Sequence, residues 1–159
     1  MSLSPFDSAL YARLFGDAEV AALFSDSAEV RAMMLVLGTL AGVQGRAGVI
    51  PEASGAFLDR AMREGLIDAG ALAEATGRNG VTVPGLVAAL RKSVQAPEHA
   101  QYLHWGATSQ DIQDTGLMLR LRRVLEVMEG RLATALRALA DLAEAHAETP
   151  QAARTYGQV

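Results

Sequence analysis

Apolar residues recur at three- and four-residue steps through most of this chain, a spacing that gathers them on one face of a helix. Val30, Met33, Met34, Leu37, Leu40 and Ala41 make the first clear face. Ser25-Asp26-Ser27 ahead of it offers side chains that can cap free N–H groups, and Gly45 and Gly48 end it by the left-handed exit glycine allows. A shorter helix precedes it, capped by Asp17 and running to Phe24. Pro51 suits the first turn of a third helix that runs to about Met62. Asp68 starts a fourth, which Gly77 closes. Asn79-Gly80-Val81-Thr82-Val83 reads as a loop. Pro84 opens a fifth helix carrying Leu86, Val87 and Leu90, and Pro97 breaks the chain again before a short turn towards Tyr102.

The last element differs in kind. Residues 109–147 contain no proline, and Gly116 and Gly130 are their only glycines. Leu121, Val124, Leu125, Met128, Leu132, Leu136, Leu139, Leu142 and Ala143 keep helical spacing. The pattern predicts a helix of roughly 38 residues, about 57 Å long. A compact chain of this size is roughly 40 Å across, so the helix outruns its own domain. Its distal stripe, 132–142, then needs partners from further chain or from other subunits. The alternative is a break at Gly130 that folds the helix back.

The expected fold class is therefore all-α, with an N-terminal domain of short helices over 1–108 and the start of a long-helix bundle over 109–159. Composition agrees. Half of the 159 residues are hydrophobic and a fifth are charged, which suits a globular chain, and the Ala and Leu bias favours helix because these residues lose little side-chain entropy on ordering. The net charge of −4 disfavours nucleic acid and membrane-surface partners. With no cysteine, neither a disulfide framework nor a thiolate metal site can form. The apolar stretch 33–43 is interrupted by Gly38, Thr39 and Gly42 and is too short to span a bilayer. The first residues lack the basic start and apolar run of a signal peptide, which makes a cytoplasmic location the default. The polar, glycine-containing end, 154–159, reads as a truncation.

Three polar clusters interrupt the helical pattern: 79–84, 104–111 and 154–158. The second is the densest. Thr108 and Ser109 can cap the long helix, and Asp111 suits its first turn. The same end presents free N–H groups and positive dipole, so two hydroxyls beside it form a place for a carboxylate. Gly106 allows close approach of the backbone to a ligand, and His104 can donate, accept or transfer a proton. Capping alone explains these residues equally well. His99 reads as a surface residue, His146 as a companion of the helix C-terminal dipole, and Arg120-Leu121-Arg122-Arg123 as a solvated face. No histidines or carboxylates have metal-ligand spacing, and no glycine-rich phosphate loop is present.

His104-Trp105-Gly106-Ala107-Thr108-Ser109-Gln110-Asp111, followed by Asp114-Thr115, resembles the first signature region of the fumarase/aspartase superfamily. Within it the stretch looks most like the carboxymuconate cycloisomerases. Adenylosuccinate lyases carry a related stretch, usually with Tyr after the His. Ser4-Pro5-Phe6-Asp7 and Leu14-Phe15-Gly16-Asp17 look like the start of the cycloisomerases. Arg154-Thr155-Tyr156-Gly157-Gln158 looks like the second signature region, with Tyr156 where many members have His. Asn79 stands where adenylosuccinate lyases tend to have a His-Asp pair.

The resemblance implies an N-terminal helical domain joined to the first helix of a bundle shared by four subunits, with active sites assembled from several chains. It implies that a carboxylate of 3-carboxy-cis,cis-muconate adds across a double bond to give a lactone, in aromatic degradation. It assigns Thr108, Ser109, Thr155 and Gln158 to the substrate carboxylates and Asn79 to substrate contact. His104 and Tyr156 become the catalytic pair, the phenol serving as donor or acid rather than base. It implies no cofactor, no metal, and a small tricarboxylate as the partner, without nucleic acid or membrane. The family's third region, a loop with a catalytic serine, is not among these residues, so the chain alone is expected to be inactive. Two alternatives stand: a lyase of the same superfamily that releases fumarate, and a non-catalytic helical oligomerisation module.

Overall fold

Side-chain caps set the starts of the first helices in the computed structural model, which describes residues 4–150, Ala152 and Tyr156. A 3-10 turn, Pro5–Asp7, begins at Ser4, whose hydroxyl accepts from the Phe6 N–H. Helix α1 spans Ala12–Phe15. Helix α2, Ala18–Leu23, starts where Asp17 Oδ1 accepts from the N–H groups of Glu19 and Val20 at 3.1 and 3.2 Å. Helix α3, Asp26–Arg46, starts where Ser25 Oγ accepts from the Ala28 N–H. Gly48, at φ +71°, turns the chain out of it. Then follow α4 (Glu52–Glu64), a 3-10 turn (Gly70–Leu72), α5 (Ala73–Asn79), α6 (Val83–Ser93), α7 (Pro97–Ala100) and α8 (Ser109–Ala145). Among the described residues every regular element is helical, in agreement with the all-α expectation.

The antiparallel partner of α3 is α4, and small residues let them meet. Gly38, Gly42 and Gly45 are buried along one side of α3. At the closest point the backbones face each other directly: a methyl group on Gly55 of α4 would sit 2.6 Å from the Ala41 carbonyl oxygen and 2.9 Å from Gly45 Cα. The core grows around this pair. Met33, Met34 and Leu37 of α3 pack with Leu58 and Met62 of α4, with Leu86 and Leu90 of α6, and with Leu103 and Ile112. Arg31 closes the far end of α4, its guanidinium donating to the carbonyls of Met62, Arg63 and Gly65. Those carbonyls have no helical donor of their own, and the cation also suits the negative end of the helix.

The expectations fail at two places. The helix predicted from Asp68 begins as a 3-10 turn, and α5 runs through Gly77. Gly80, at φ +72°, ends it, because only there does the chain need a left-handed residue. Asn79 is thus the last residue of a helix rather than the first of a loop. The expected long helix holds and the alternative break at Gly130 does not occur; α8 passes through it, and Thr134 Oγ1 donates back to the Gly130 carbonyl at 3.0 Å. Glycine in mid-helix costs only about 1 kcal/mol, which the surrounding turns absorb. Finally, α8 ends two residues before the expected Ala147.

Two compact units divide the chain, Met1–Val124 and Leu125–Val159. The first holds the whole buried core, including Ile112 and Gly116 from the opening turns of α8. In it Arg120 pairs with Glu29 of α3 at 3.2 Å and covers the Phe24 ring, with its side chain only 11% exposed. The run at 120–123 is therefore not merely a solvated face. In the second unit Leu125, Leu132, Leu136, Leu139 and Leu142 are all more than half exposed. Among the described residues no helix is long and apolar enough to cross a membrane.

Candidate active site at the turn before the long helix

The turn between α7 and α8 is built from one buried anchor and two left-handed residues. Leu103 is completely buried and fixes the turn to the core. His104 follows at φ +66° and Gly106 at φ +67°. Glycine takes that conformation freely, whereas a side chain crowds the adjoining peptide there. Two side chains from other helices hold carbonyls of this turn, one just before His104 and one a residue past it. Arg91 of α6 donates to the Leu103 oxygen at 3.0 Å, and Gln44 of α3 donates through Nε2 to the Trp105 oxygen at 2.8 Å. The Trp105 ring stays half exposed and leans on Tyr102, with centroids 5.7 Å apart.

Beyond the turn the chain enters α8. The Thr108 N–H donates to Asp111 Oδ2 at 2.9 Å, which is the backward-reaching half of a capping box. Gln110 donates to Asp114 one turn later. The opening N–H groups of α8 lack helical acceptors and carry the positive end of the dipole. The exposed Thr108 and half-buried Ser109 place hydroxyls at that end. Chemically, this is a rim of N–H and O–H donors with two acidic neighbours, Asp111 and Asp114, each engaged by a donor of the same stretch.

His104 Nε2 is buried and has no hydrogen-bond partner among the described residues, and the same is true of Gln44 Oε1. Buried polar atoms are nearly always paired, so two orphans flanking one turn mark it out. His104, Thr108 and Ser109 all lie on the turn and the first residue of α8. Asn79 lies apart from them in sequence and structure, exposed at the end of α5 with no hydrogen bond to this turn. Tyr156 is an exposed turn residue of the second unit, and Thr155 and Gln158 lie outside the described residues.

The other histidines depart from expectation. His99 is not a free surface residue. Its Nδ1 lies 2.9 Å from the buried Ser54 Oγ, and its ring stacks on Phe57 at 4.6 Å. His146 falls just past the end of α8 and bonds Thr149. Sequence reasoning missed Gln44 and Arg91. Gln44 did leave a signal, since it continues the apolar face of α3 three residues after Ala41, where a polar side chain needs a reason. Arg91 left none, because a basic residue in the last turn of a helix is ordinary. Among the described residues no three His, Asp or Glu side chains gather as a metal site would require.

Comparison with known proteins places this geometry. A family model described as "Lyase" matches residues 24–159. The 3-carboxy-cis,cis-muconate cycloisomerase of Pseudomonas aeruginosa is 42% identical over 151 residues, which cover 94% of this chain and 33% of that protein. Nitrosuccinate lyase of Streptomyces davaonensis is 38% identical, covering 94% of this chain and 32% of its own length. The crystal structure of β-carboxy-cis,cis-muconate cycloisomerase from Acinetobacter calcoaceticus superposes with a TM-score of 0.88 at 35% identity, covering 94% of this chain and 36% of that one. The chain thus spans about a third of the length of the relatives it matches. With the signature turn, the helical architecture and the family match in agreement, the chain belongs to the lyase family and has the all-α fumarase/aspartase fold of these neighbours.

Proposed function

We propose that this chain forms the N-terminal domain and first bundle helix of a 3-carboxy-cis,cis-muconate cycloisomerase. The observation that supports this reading is the stretch 104–111, which carries a left-handed histidine, two hydroxyls and the N-terminus of α8 within eight residues. Its substrate is a tricarboxylate. One carboxylate oxygen bonds to an alkene carbon, the π pair moves to the neighbouring carbon, and a proton completes that carbon. Negative charge therefore builds beside a standing carboxylate as the ring closes, and fixed N–H and O–H donors stabilise it most effectively when no reorganisation is needed. Thr108 and Ser109 hold a substrate carboxylate, with Thr155, Gln158 and Asn79 as further contacts. His104 and Tyr156 move or steady the proton. The step is redox-neutral and calls for no cofactor.

In this reading residues 1–108 and 109–159 are the two domains, and the enzyme is a cytoplasmic homotetramer of aromatic catabolism whose sites are shared between subunits. The exposed leucines of the second unit support shared packing, and in this reading the chain by itself is expected to be inactive. The test is to express the reading frame as far as it runs and follow the diene absorbance of 3-carboxy-cis,cis-muconate. Loss of absorbance supports the assignment; unchanged absorbance from a well-folded assembly overturns it. Similarity to nitrosuccinate lyase at 38% identity favours one second reading, a lyase of the same family. Release of fumarate from a succinyl-type substrate in the same preparation decides for it.

A further inference from the structure

Among the described residues two non-glycine residues have φ above zero, Gln95 at 48° and His104 at 66°. They differ in what surrounds them. Gln95 lies in an exposed connection, whereas His104 is bracketed. The Arg91 guanidinium holds the Leu103 carbonyl, which belongs to the peptide plane that φ of His104 turns about. The Gln44 amide holds the Trp105 carbonyl, one peptide beyond the plane that ψ of His104 turns, and so pins the far end of the turn. Leu103 is buried in the core, so the first of these planes cannot rotate freely. Because Gln44 must present its NH2 to a carbonyl, its Oε1 is left facing inward without a donor. The fold thus retains a strained backbone and an orphaned amide oxygen at the same turn. Strain of this kind persists only where neighbours over-determine it.

We propose that Gln44 and Arg91 are positioning residues: together they clamp His104 in its left-handed conformation and so fix the direction of its imidazole. The direction follows from geometry, since the backbone torsions at His104 set where its Cα–Cβ bond points. Released to negative φ, the Cα–Cβ bond and the ring with it take a different direction. The catalytic consequence rests on the cycloisomerase reading above; the clamp does not.

A thermodynamic cycle tests the clamp in this chain. His104→Gly removes the crowding that a side chain suffers at positive φ. Its effect on the unfolding midpoint is measured in the parent and in Gln44→Ala and Arg91→Ala. The clamp requires the change to be more favourable in the parent by about 2–4 °C, because the released turn no longer holds strain to relieve. Equal shifts in all backgrounds overturn it. Trp105, the sole tryptophan, reports the same event: its emission shifts in the clamp variants and returns in Arg91→Lys, which keeps one donor. If Gln44→Ala folds poorly, Gln44→Met keeps the volume and removes the donor, and it carries the same expectation. In the cycloisomerase assay, run on the same variants in the full reading frame, kcat falls about ten- to a hundredfold, while KM stays within twofold. If kcat and KM both fail in step with the midpoint, the residues are merely structural and the positioning role is overturned. A well-folded assembly of the full reading frame with no activity on the muconate counts against the functional reading, and the cycle and Trp105 emission then decide the clamp alone.

Discussion

Two stretches of this chain carry the same apolar spacing and meet opposite fates. On α3, Val30, Met33, Met34, Leu37 and Ala41 are at most 4% exposed. On α8, Leu125, Leu132, Leu136, Leu139 and Leu142 are between 57% and 66% exposed. Periodicity reports that a face exists and says nothing of what covers it. The discriminating signal is the company the face keeps. The face of α3 is flanked by Gly38, Gly42 and Gly45, which let α4 approach to backbone contact. The distal part of α8 has only Gly130, and a side chain there would meet nothing. A glycine row beside an apolar face thus marks a partner already within the chain.

That contrast breaks most readily at the α3 core. Leu37→Ala removes a side chain with no exposure, and it should destabilise the chain by about 2–5 kcal/mol through lost burial and a residual cavity. Urea unfolding followed by helical circular dichroism measures it. A loss below about 1 kcal/mol, the scale of an ordinary surface change, would mean that the α3 face is no better packed than that of α8. Next in size is Gly55→Ala. Its new methyl group would meet the Ala41 carbonyl, which cannot swing aside as a flexible side chain can. We expect a cost of about 1–3 kcal/mol as the helices separate, although alanine is ordinarily the better helix former. Stabilisation by this substitution would refute the close approach.

The sequence was most legible where one local signal decides the structure. Asp17 and Ser25 cap the helices they precede, and the 104–111 stretch leads into α8 as its polarity foretold. It was least legible where distant residues decide. Gly77 looks like a helix stop, but the stop falls at Gly80, where the left-handed φ is actually needed. Arg120 belongs to a basic run, yet its pairing with Glu29 joins residues 91 positions apart. His99 sits behind a proline and an acid, a surface context, and still docks onto Ser54 and Phe57 across a helix. Gln44 and Arg91 act on backbone carbonyls, which leave no trace in a pattern of side chains.

A smaller effect sharpens the contrast at the end of α4. Arg31 donates to three carbonyls there but is itself partly exposed. Arg31→Ala should cost about 1–2 kcal/mol, less than a charged hydrogen bond earns when fully buried. Arg31→Lys should recover only part of this, because a point charge cannot span several acceptors. Hydrogen exchange localises the change: amides near Ala61 and Met62 should lose protection before those in the middle of α3. Uniform loss along both helices would instead assign Arg31 to the global core.

The smallest intrinsic effect belongs to the α8 stripe, and it depends on concentration. Leu136→Gln should leave the unfolding midpoint of the dilute chain within about 0.5 kcal/mol of the parent, because the side chain is 66% exposed. If copies of the chain cover one another through this face, mass action stabilises the folded parent as concentration rises, by up to about 2.7 kcal/mol over a hundredfold range. The variant gains nothing from the same increase. Two unfolding curves that coincide at low concentration and part at high concentration would therefore show a face built for another chain. Sedimentation should then find the parent larger than a monomer and the variant monomeric. A monomeric parent at tens of micromolar, with midpoints that never diverge, would leave the stripe an exposed surface and remove the distinction between a face whose partner lies within the chain and one whose partner lies outside it.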